Sequence, residues 1–268
     1  MLITVNGLVV RSYPSGNSDR IVHMLTEDRG RVSVVVKGAL SNRKGSVASC
    51  TQLFTYGNFE LYYRNDMYWY RGGSVLTPFY ELSSDVAAVA LAAYLCDIAA
   101  DITPEETEEA NSAMLLKDLL NSLYVLSKHM RSLTMVKAVF EMRVATLMGF
   151  RPNLSRCVLC GCHDPENAYL DVVNGRIICA DCQTERNRVR NTGNREDELR
   201  GQSVICPVSS SVLAAMRYVS KADPKKIFSF SMKDIEEERS LERVTETYLH
   251  NKLERDYDTL RFYRSVTN

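Results

Sequence analysis

Two short cysteine motifs constrain this chain more than any other feature. Cys157 and Cys160 form one CxxC pair, Cys179 and Cys182 form a second, and 18 residues separate the two pairs. Two thiolates three positions apart on a tight turn can reach one ion, and two such turns complete a tetrahedron of sulfur ligands. The spacing therefore predicts one structural zinc ion in a zinc-ribbon module at residues 151–190.

The segment between the pairs is typical of a scaffold for such a site. Strand-like residues 169–173 and 176–178 flank Asn174 and Gly175, a favoured two-residue hairpin turn. Cys162 and His163 are competing ligands, but they fit the paired spacing less well. The alternatives are a redox CxxC pair, which leaves the other motif without a role, and a chance cluster of thiols, which does not readily give two pairs and a hairpin. Four thiolates leave no open coordination position, so the site is expected to be structural rather than catalytic.

The first 80 residues have the alternation and turn residues of a small β-barrel. An OB fold is the favoured interpretation and an SH3-like barrel the alternative, because turn signals separate five short strand-like runs. The runs are 2–12, 20–26, 31–37, 54–64 and 67–75.

Helical patterns dominate the rest of the chain. Residues 81–150 form the first part of a helical domain, and residues 191–268 complete it after the zinc-ribbon module. The fold class is therefore α+β multidomain: an N-terminal OB-fold β-barrel (1–80), an α-helical domain and an inserted four-cysteine zinc ribbon. Finer expectations are helices at 112–130, from 134, at 210–220 and at 236–255, a polar loop at 187–201 and a strand-like segment at 227–232.

Charge is distributed unevenly, although 33 basic and 33 acidic residues cancel over the 268-residue chain. Residues 1–80 carry nine basic and five acidic side chains, whereas residues 81–150 carry five basic and ten acidic ones. The last two barrel strands also interleave aromatic residues with cations, which favours single-stranded nucleic acid through phosphate contacts and base stacking. Half of those aromatic side chains must point into the core, because alternate residues of a strand face opposite sides.

Several classes of protein are disfavoured. The longest apolar run, residues 86–96, has 11 residues, whereas a membrane-spanning helix needs about 20. No signal peptide is recognisable, and the chain is expected to be cytoplasmic with reduced thiols. The four histidines are dispersed, and no phosphate-binding glycine loop, GxSxG or HExxH motif occurs. The chain is not expected to be an enzyme, although a carboxylate-based hydrolase or nuclease is the rival class.

Specific stretches resemble the RecO recombination-repair family. The most distinctive is the junction between the third helix and the first CxxC motif, and weaker matches occur in order near the N-terminus. The stretches are FEMR (140–143), LMGF (147–150), RPNL (151–154), CVLCG (157–161), GLVVR (7–11), DRIV (19–22), LTEDRG (25–30) and VKGA (36–39).

The resemblance implies a DNA repair and recombination mediator associated with the nucleoid. RecO proteins bind single- and double-stranded DNA, anneal complementary strands and act with RecR to load RecA onto DNA coated by single-strand-binding protein. They are not enzymes, and their helical domain receives the acidic, hydrophobic tail of single-strand-binding protein. The alternative function is a zinc-ribbon interaction factor in transcription or translation without annealing activity.

The resemblance also implies two sets of binding residues. Residues 40–44 read LSNRK, less basic than is usual in the family. The DNA-contact candidates are Arg11, Arg20, Lys37, Arg43 and Lys44. The candidates for binding the protein tail are Lys128, Arg131, Lys137 and Arg143.

Overall fold

The chain folds into two compact units in a computed structural model that describes residues 1–39, 49–106, 110–191 and 204–267. The first unit comprises residues 1–133 together with 257–268, and the second comprises residues 134–256. The C-terminal segment therefore returns to the N-terminal unit. None of the helices in the described ranges is long and apolar enough to cross a membrane.

A closed five-stranded barrel forms the start of the first unit. Its strands are β1 (Leu2–Ser15), β2 (Asp19–Thr26), β3 (Arg31–Val36), β4 (Tyr56–Arg64) and β5 (Met67–Thr77). They are ordered β1-β2-β3-β5-β4, and β4 closes the barrel on β1. The β3–β5 pair is parallel, and the other pairs are antiparallel. This arrangement confirms the predicted OB fold.

Alternating side chains build the barrel core. Phe59 and Leu61 are fully buried and Tyr63 packs against the same core, whereas Glu60 and Tyr62 between them face solvent. The predicted alternation of β4 is therefore correct. Its turn into β5 is a two-residue connection whose central residues both have positive φ, as a type I′ hairpin requires.

Besides the helical residues Ser49 and Cys50, seven α-helices lie in the described ranges. They are α1 (Val86–Ile102), α2 (Ala110–Ser127), α3 (Leu133–Leu147), α4 (Ala180–Asn191), α5 (Ser210–Val219), α6 (Ile235–Leu253) and α7 (Asp258–Thr267). Helices α1, α2 and α7 belong to the first unit, and α3 enters the second unit at Thr134. Asp85 is the N-cap of α1, and its carboxylate accepts hydrogen bonds from the backbone amides of Ala87 and Ala88.

Helix α7 packs against α1 through apolar and polar contacts. The Thr259 hydroxyl donates to Asp97 at 2.8 Å, and the Tyr257 hydroxyl donates to Asp101 at 3.2 Å. Tyr257 also meets the ring of Tyr94 edge-on. The C-terminal residues therefore complete the helical part of the first unit.

A four-stranded sheet organises the second unit. Its strands are β6 (Asn153–Cys157), β7 (Asn167–Asp171), β8 (Arg176–Cys179) and β9 (Ile205–Ser209), in the order β6-β8-β7-β9. The β7–β8 hairpin confirms the predicted strand pair, but its turn was predicted wrongly. Asp171 pairs with Arg176, so the loop has four residues rather than two. The Asp171 carboxylate accepts hydrogen bonds from the backbone and side chain of Asn174 and thereby closes this longer loop.

Three other local predictions need correction. Residues 227–232 contain no strand and follow a single 3₁₀ turn, Pro224–Lys226. Residues 187–191 end helix α4 instead of starting a loop. Helix α7 was not predicted as a separate element, because the sequence pattern indicated no helix after residue 255.

Candidate metal centre and nucleic-acid surface

The four predicted cysteines converge in the second unit. The Sγ atoms of Cys157, Cys160, Cys179 and Cys182 all lie within 4.8 Å of one another, and those of Cys160 and Cys179 are 3.6 Å apart. Sulfur ligands of a tetrahedral zinc ion, with Zn–S near 2.3 Å, are separated by about 3.8 Å. The cluster therefore has the dimensions and donor atoms of a closed metal site.

Local structure explains why each motif presents both thiols. In the first motif, the amide of Gly161 donates to the carbonyl of Cys157 at 3.0 Å, and the amide of Cys157 donates to the carbonyl of Cys162 at 2.7 Å. Gly161 has φ of +77°, which a glycine adopts without strain. The second motif joins the end of β8 at Cys179 to the first turn of α4, which carries Cys182.

Backbone amides polarise the cluster. Burial raises the pKa of Cys157, but hydrogen bonds from the amides of Cys160, Cys179 and Leu159 outweigh it and lower that pKa to about 6. The amide of Cys179 lies 3.3 Å from the Cys157 sulfur. The pKa of Cys182 is raised, because its thiol shares hydrogen bonds with the thiols of Cys179 and Cys160. One thiolate thus forms readily, and a cation is needed to hold the full set.

Cys162 and His163 are exposed and lie outside the four-cysteine set. Cys162 lines a cleft of about 520 Å³ beside Cys160 and Cys182, so its thiol is near the metal site without completing it.

The outer face of the barrel carries a continuous row of apolar positions. Cross-strand pairing places them side by side across all five strands, since directly opposed residues share one face of a sheet. In order around the barrel they are Tyr13, Ile21, Val35, Trp69, Tyr62 and Leu2.

Part of this outer row is open to solvent, whereas another part of the outer face is covered. Tyr62 and Leu2 are 45% and 49% exposed, and Lys37 places its ammonium 4.9 Å from the centre of the Trp69 ring. Near the other end of β3, Ser33 and Arg31 both bind the carboxylate of Glu105. A cation and aromatic rings therefore coincide where the barrel surface is accessible.

The DNA-contact candidates occupy different environments. Lys37 is exposed, and Arg20 is half-buried at the start of β2. Arg11 donates through Nε to the Asp97 carboxylate at 2.7 Å and through Nη2 to the Asp97 carbonyl at 3.1 Å, so it binds β1 to α1. Arg43 and Lys44 lie outside the described residues.

Sequence reasoning missed the opposition of Tyr62 and Trp69. The signal was available, because a two-residue turn between Arg64 and Met67 places these two residues directly across from each other. Two further cations of β4 and β5, Arg64 and Arg71, are exposed and form no ion pair with any residue of the described ranges.

Comparison with protein families agrees with this architecture. Residues 1–79 match the family model described as recombination protein O N terminal, and residues 83–196 match the one described as recombination protein O C terminal. The chain belongs to the RecO family. Among curated relatives, the DNA repair protein RecO of Acetivibrio thermocellus is 28% identical over 264 residues, covering 98% of this chain and 97% of the relative. The DNA repair protein RecO of Caldicellulosiruptor bescii is 27% identical over 270 residues, covering 99% of each.

The partner-binding candidates of this RecO-family DNA repair protein divide into two groups. Lys128 and Arg131 are exposed, and the Lys128 ammonium lies 2.6 Å from the carboxylate of Glu81. Lys137 and Arg143 were expected on helix surfaces, but they are 0% and 3% exposed. Their charges satisfy groups inside the second unit, so they do not present cations to a partner at the surface.

Buried partners explain the inward position of both residues. The Lys137 ammonium lies 2.9 Å from the carboxylate of Glu141, 3.5 Å from Glu242 and 2.6 Å from Glu246. Burial lowers the pKa of Lys137, but the three carboxylates outweigh that effect and raise it overall. Nη1 of Arg143 donates to two backbone carbonyls at the C-terminal end of α5, those of Val219 and Ala222.

Proposed function

We propose that this chain binds single- and double-stranded DNA, anneals complementary strands and, with RecR, helps to load RecA onto DNA coated by single-strand-binding protein. Its action is physical: it holds strands and partners and catalyses no covalent step. The membership of the RecO family supports this proposal, and the open outer face of the barrel is the observation that carries it.

Aromatic rings on that face provide a platform for bases. Tyr62 and Trp69 lie opposite each other on β4 and β5, and Lys37 stands over the Trp69 ring. Stacking of a base on an aromatic side chain contributes about 1–3 kcal/mol and tolerates any sequence. The platform thus fits unpaired bases, which must be held before they can find their complements.

Cations beside the platform suit the phosphate backbone. Lys37, Arg64 and Arg71 are exposed. Arg20 is half-buried on β2 and pairs with Val36, the residue before Lys37. Neutralising phosphates on two strands reduces their mutual repulsion and favours pairing, so binding and annealing should both weaken with salt. Arg11 supports DNA binding by fixing the position of β1 and is not a main DNA contact, because its guanidinium is bound to Asp97.

We propose that the four cysteines hold one structural zinc ion. The ion would supply folding energy to a module with few apolar residues of its own. Cys157 ends β6 and Cys160 lies in the loop that follows, whereas Cys179 ends β8 and Cys182 lies in the first turn of α4. A shared ion therefore ties these elements together.

We propose that the exposed cations Lys128 and Arg131 receive the acidic tail of single-strand-binding protein. Lys128 is bound to Glu81 in the free chain. A carboxylate of the tail would compete with Glu81, so the exchange replaces one exposed ion pair by another and contributes modestly to affinity. Apolar contacts must supply the rest of the binding energy.

The DNA surface is tested by matched substitutions. Lys37→Ala should weaken binding of a labelled single strand and lower the slope of log affinity against log salt by about 0.7, the value for one lost phosphate contact. Lys117→Ala removes an exposed lysine of α2 as the control and should change neither quantity. Tyr62→Ala, with Tyr80→Ala as its control, tests the platform. Unchanged affinity and slope in both Lys37→Ala and Tyr62→Ala would place DNA elsewhere.

Annealing is tested on complementary strands coated with single-strand-binding protein, with and without RecR. The wild-type chain should accelerate pairing, and RecR should increase RecA loading on the coated strand. Pairing no faster than the spontaneous rate would contradict the annealing function and favour an interaction factor without annealing activity.

A further inference from the structure

A basic cleft in the second unit has no role in the function proposed so far. Its volume is about 510 Å³, and it lies where the start of β6 meets the end of α5. The lining includes three cations and no carboxylate. Its polar members are Arg151, Asn153, Ser155, Arg217, Ser220 and Lys221.

Arg217 gives the cleft a fixed wall. Its guanidinium donates to the carbonyl of Leu154 at 2.7 Å, to the carbonyl of His163 at 2.7 Å and to the Asp164 carboxylate at 2.6 Å. These bonds hold the loop after the first CxxC motif against α5. Arg217 is therefore committed to shaping the cleft, and a ligand would be met by other side chains.

Arg151 and Lys221 are the cations available to a ligand. Both are exposed, and neither forms an ion pair with another residue in the parts of the chain that the structure describes. Two unpaired cations that line one concave surface create a positive potential that attracts anions.

The end of helix α5 would ordinarily oppose an anion here. The last carbonyls of a helix carry partial negative charge. Arg143, buried beneath this end, donates to the carbonyl of Val219 at 3.2 Å and to that of Ala222 at 2.9 Å. Because its positive charge offsets those carbonyls, the cleft keeps the positive potential of Arg151 and Lys221.

We propose that this cleft binds the phosphodiester backbone of a second DNA strand. The inference rests on the proposed annealing function, in which the barrel surface holds the first strand. Phosphate fits the lining better than an apolar peptide does, because the cleft offers the guanidinium of Arg151 and the ammonium of Lys221. A chain with separate phosphate sites on its two units can hold two strands at once.

The test measures capture of a second strand by the full-length, metal-containing protein. The protein is first loaded with one unlabelled single strand per chain, and a labelled strand that is not complementary to it is then added. The cleft variant is Arg151→Ala with Lys221→Ala. The control is Lys233→Ala with Arg243→Ala, which removes two exposed cations from the same unit outside the cleft lining.

The cleft variant should lose at least about tenfold in affinity for the second strand. Its salt slope should fall by about 1.4, since each phosphate contact on a single strand contributes about 0.7. The control pair should behave as wild type, and Arg151→Lys should retain most of the binding. Equal capture by the cleft and control variants would overturn the proposal, as would a wild-type chain that binds one strand only. Circular dichroism and metal content verify that each variant is folded.

Failure of this inference can be told apart from failure of the proposed function. If Lys37→Ala weakens binding of the first strand while the cleft variant binds the second strand as wild type does, the cleft proposal alone is wrong. If the cleft variant loses affinity for DNA and the barrel variants do not, the cleft is supported as a DNA site and the assignment of DNA to the barrel is wrong. Displacement of an acidic peptide, with no effect on DNA, would identify a protein ligand and reject the cleft as a strand site.

Discussion

Replacement of Lys137 by methionine should strongly destabilise the second unit. Lys137 is 0% exposed and is the cation shared by three carboxylates of α3 and α6. Methionine has a similar length and fills the same space without the charge. The substitution therefore isolates the electrostatic part of the contact and leaves Glu141, also 0% exposed, without the ammonium.

The magnitude follows from burial. Removing one member of a buried ion pair costs about 3–5 kcal/mol, because the remaining charge stays desolvated. Glu242 and Glu246 keep 22% and 23% of their side chains exposed, so water can solvate them in part. Glu141 thus accounts for most of the loss. The double substitution Lys137→Met with Glu141→Met also removes the unpaired carboxylate. It should therefore recover more than half of the lost free energy of unfolding.

Urea unfolding followed by circular dichroism provides the assay. With an m value of about 2 kcal/mol/M, the midpoint should fall by roughly 1.5–2.5 M. Hydrogen exchange should increase in α3 and α6 first. Lys233→Met, an exposed substitution in the same unit, is the control and should shift the midpoint little.

The pH dependence has a definite sign. Without the ammonium, the pKa of the buried Glu141 carboxyl should rise above its unfolded value of about 4.3. The folded variant then binds more protons than the unfolded one, so its stability falls as pH rises from that value. The deficit relative to wild type should be largest at neutral pH and smaller near pH 4. A Lys137→Met protein as stable as Lys233→Met at pH 7 would refute the reasoning.

Three further predictions concern the metal module and the hairpin beside it. Cys157→Ser should lower bound zinc from about one ion per chain to background by elemental analysis, whereas Cys162→Ser should retain it. Acidification should release the metal, because protons compete with it for thiolates such as Cys157, and full retention at pH 4 would contradict this. Gly175→Ala should destabilise the second unit by more than Gly149→Ala in urea. Both glycines have positive φ, but a Cβ at 175 would also lie 2.7 Å from the Tyr248 hydroxyl.

The four-cysteine cluster was predictable because its members are specified locally. Two CxxC turns and a strand pair are short-range features, and short-range features can be recognised from spacing alone. The turn between the two strands was not predictable, since Asn174 and Gly175 suit several turn types. The choice among them depends on Asp171, which is fully buried and is held by both Asn174 and Arg176.

The barrel was predictable in strand number and in which residues face inward, but its surface was not. Alternation along a strand assigns each side chain to one face of the barrel. Whether another element covers that outer face depends on residues far away in sequence. Arg11 reads as a free cation of β1, yet its partner Asp97 lies on α1, 86 residues later. The same limit hid α7, whose buried Leu260 and Tyr263 pack in the first unit although the preceding helix belongs to the second.

The buried position of Lys137 was predictable from the composition of the helix that carries it. Helix α3 has apolar residues on all sides, and such a helix is normally buried all round. Charges on a buried helix must be paired, and Glu141 stands four residues after Lys137, on the same face. Residue type alone assigns a cation to the surface, but a helix that is buried on all sides has no exposed face to carry it. Only the partners on α6 required the tertiary structure, because no local spacing connects residues more than 100 positions apart.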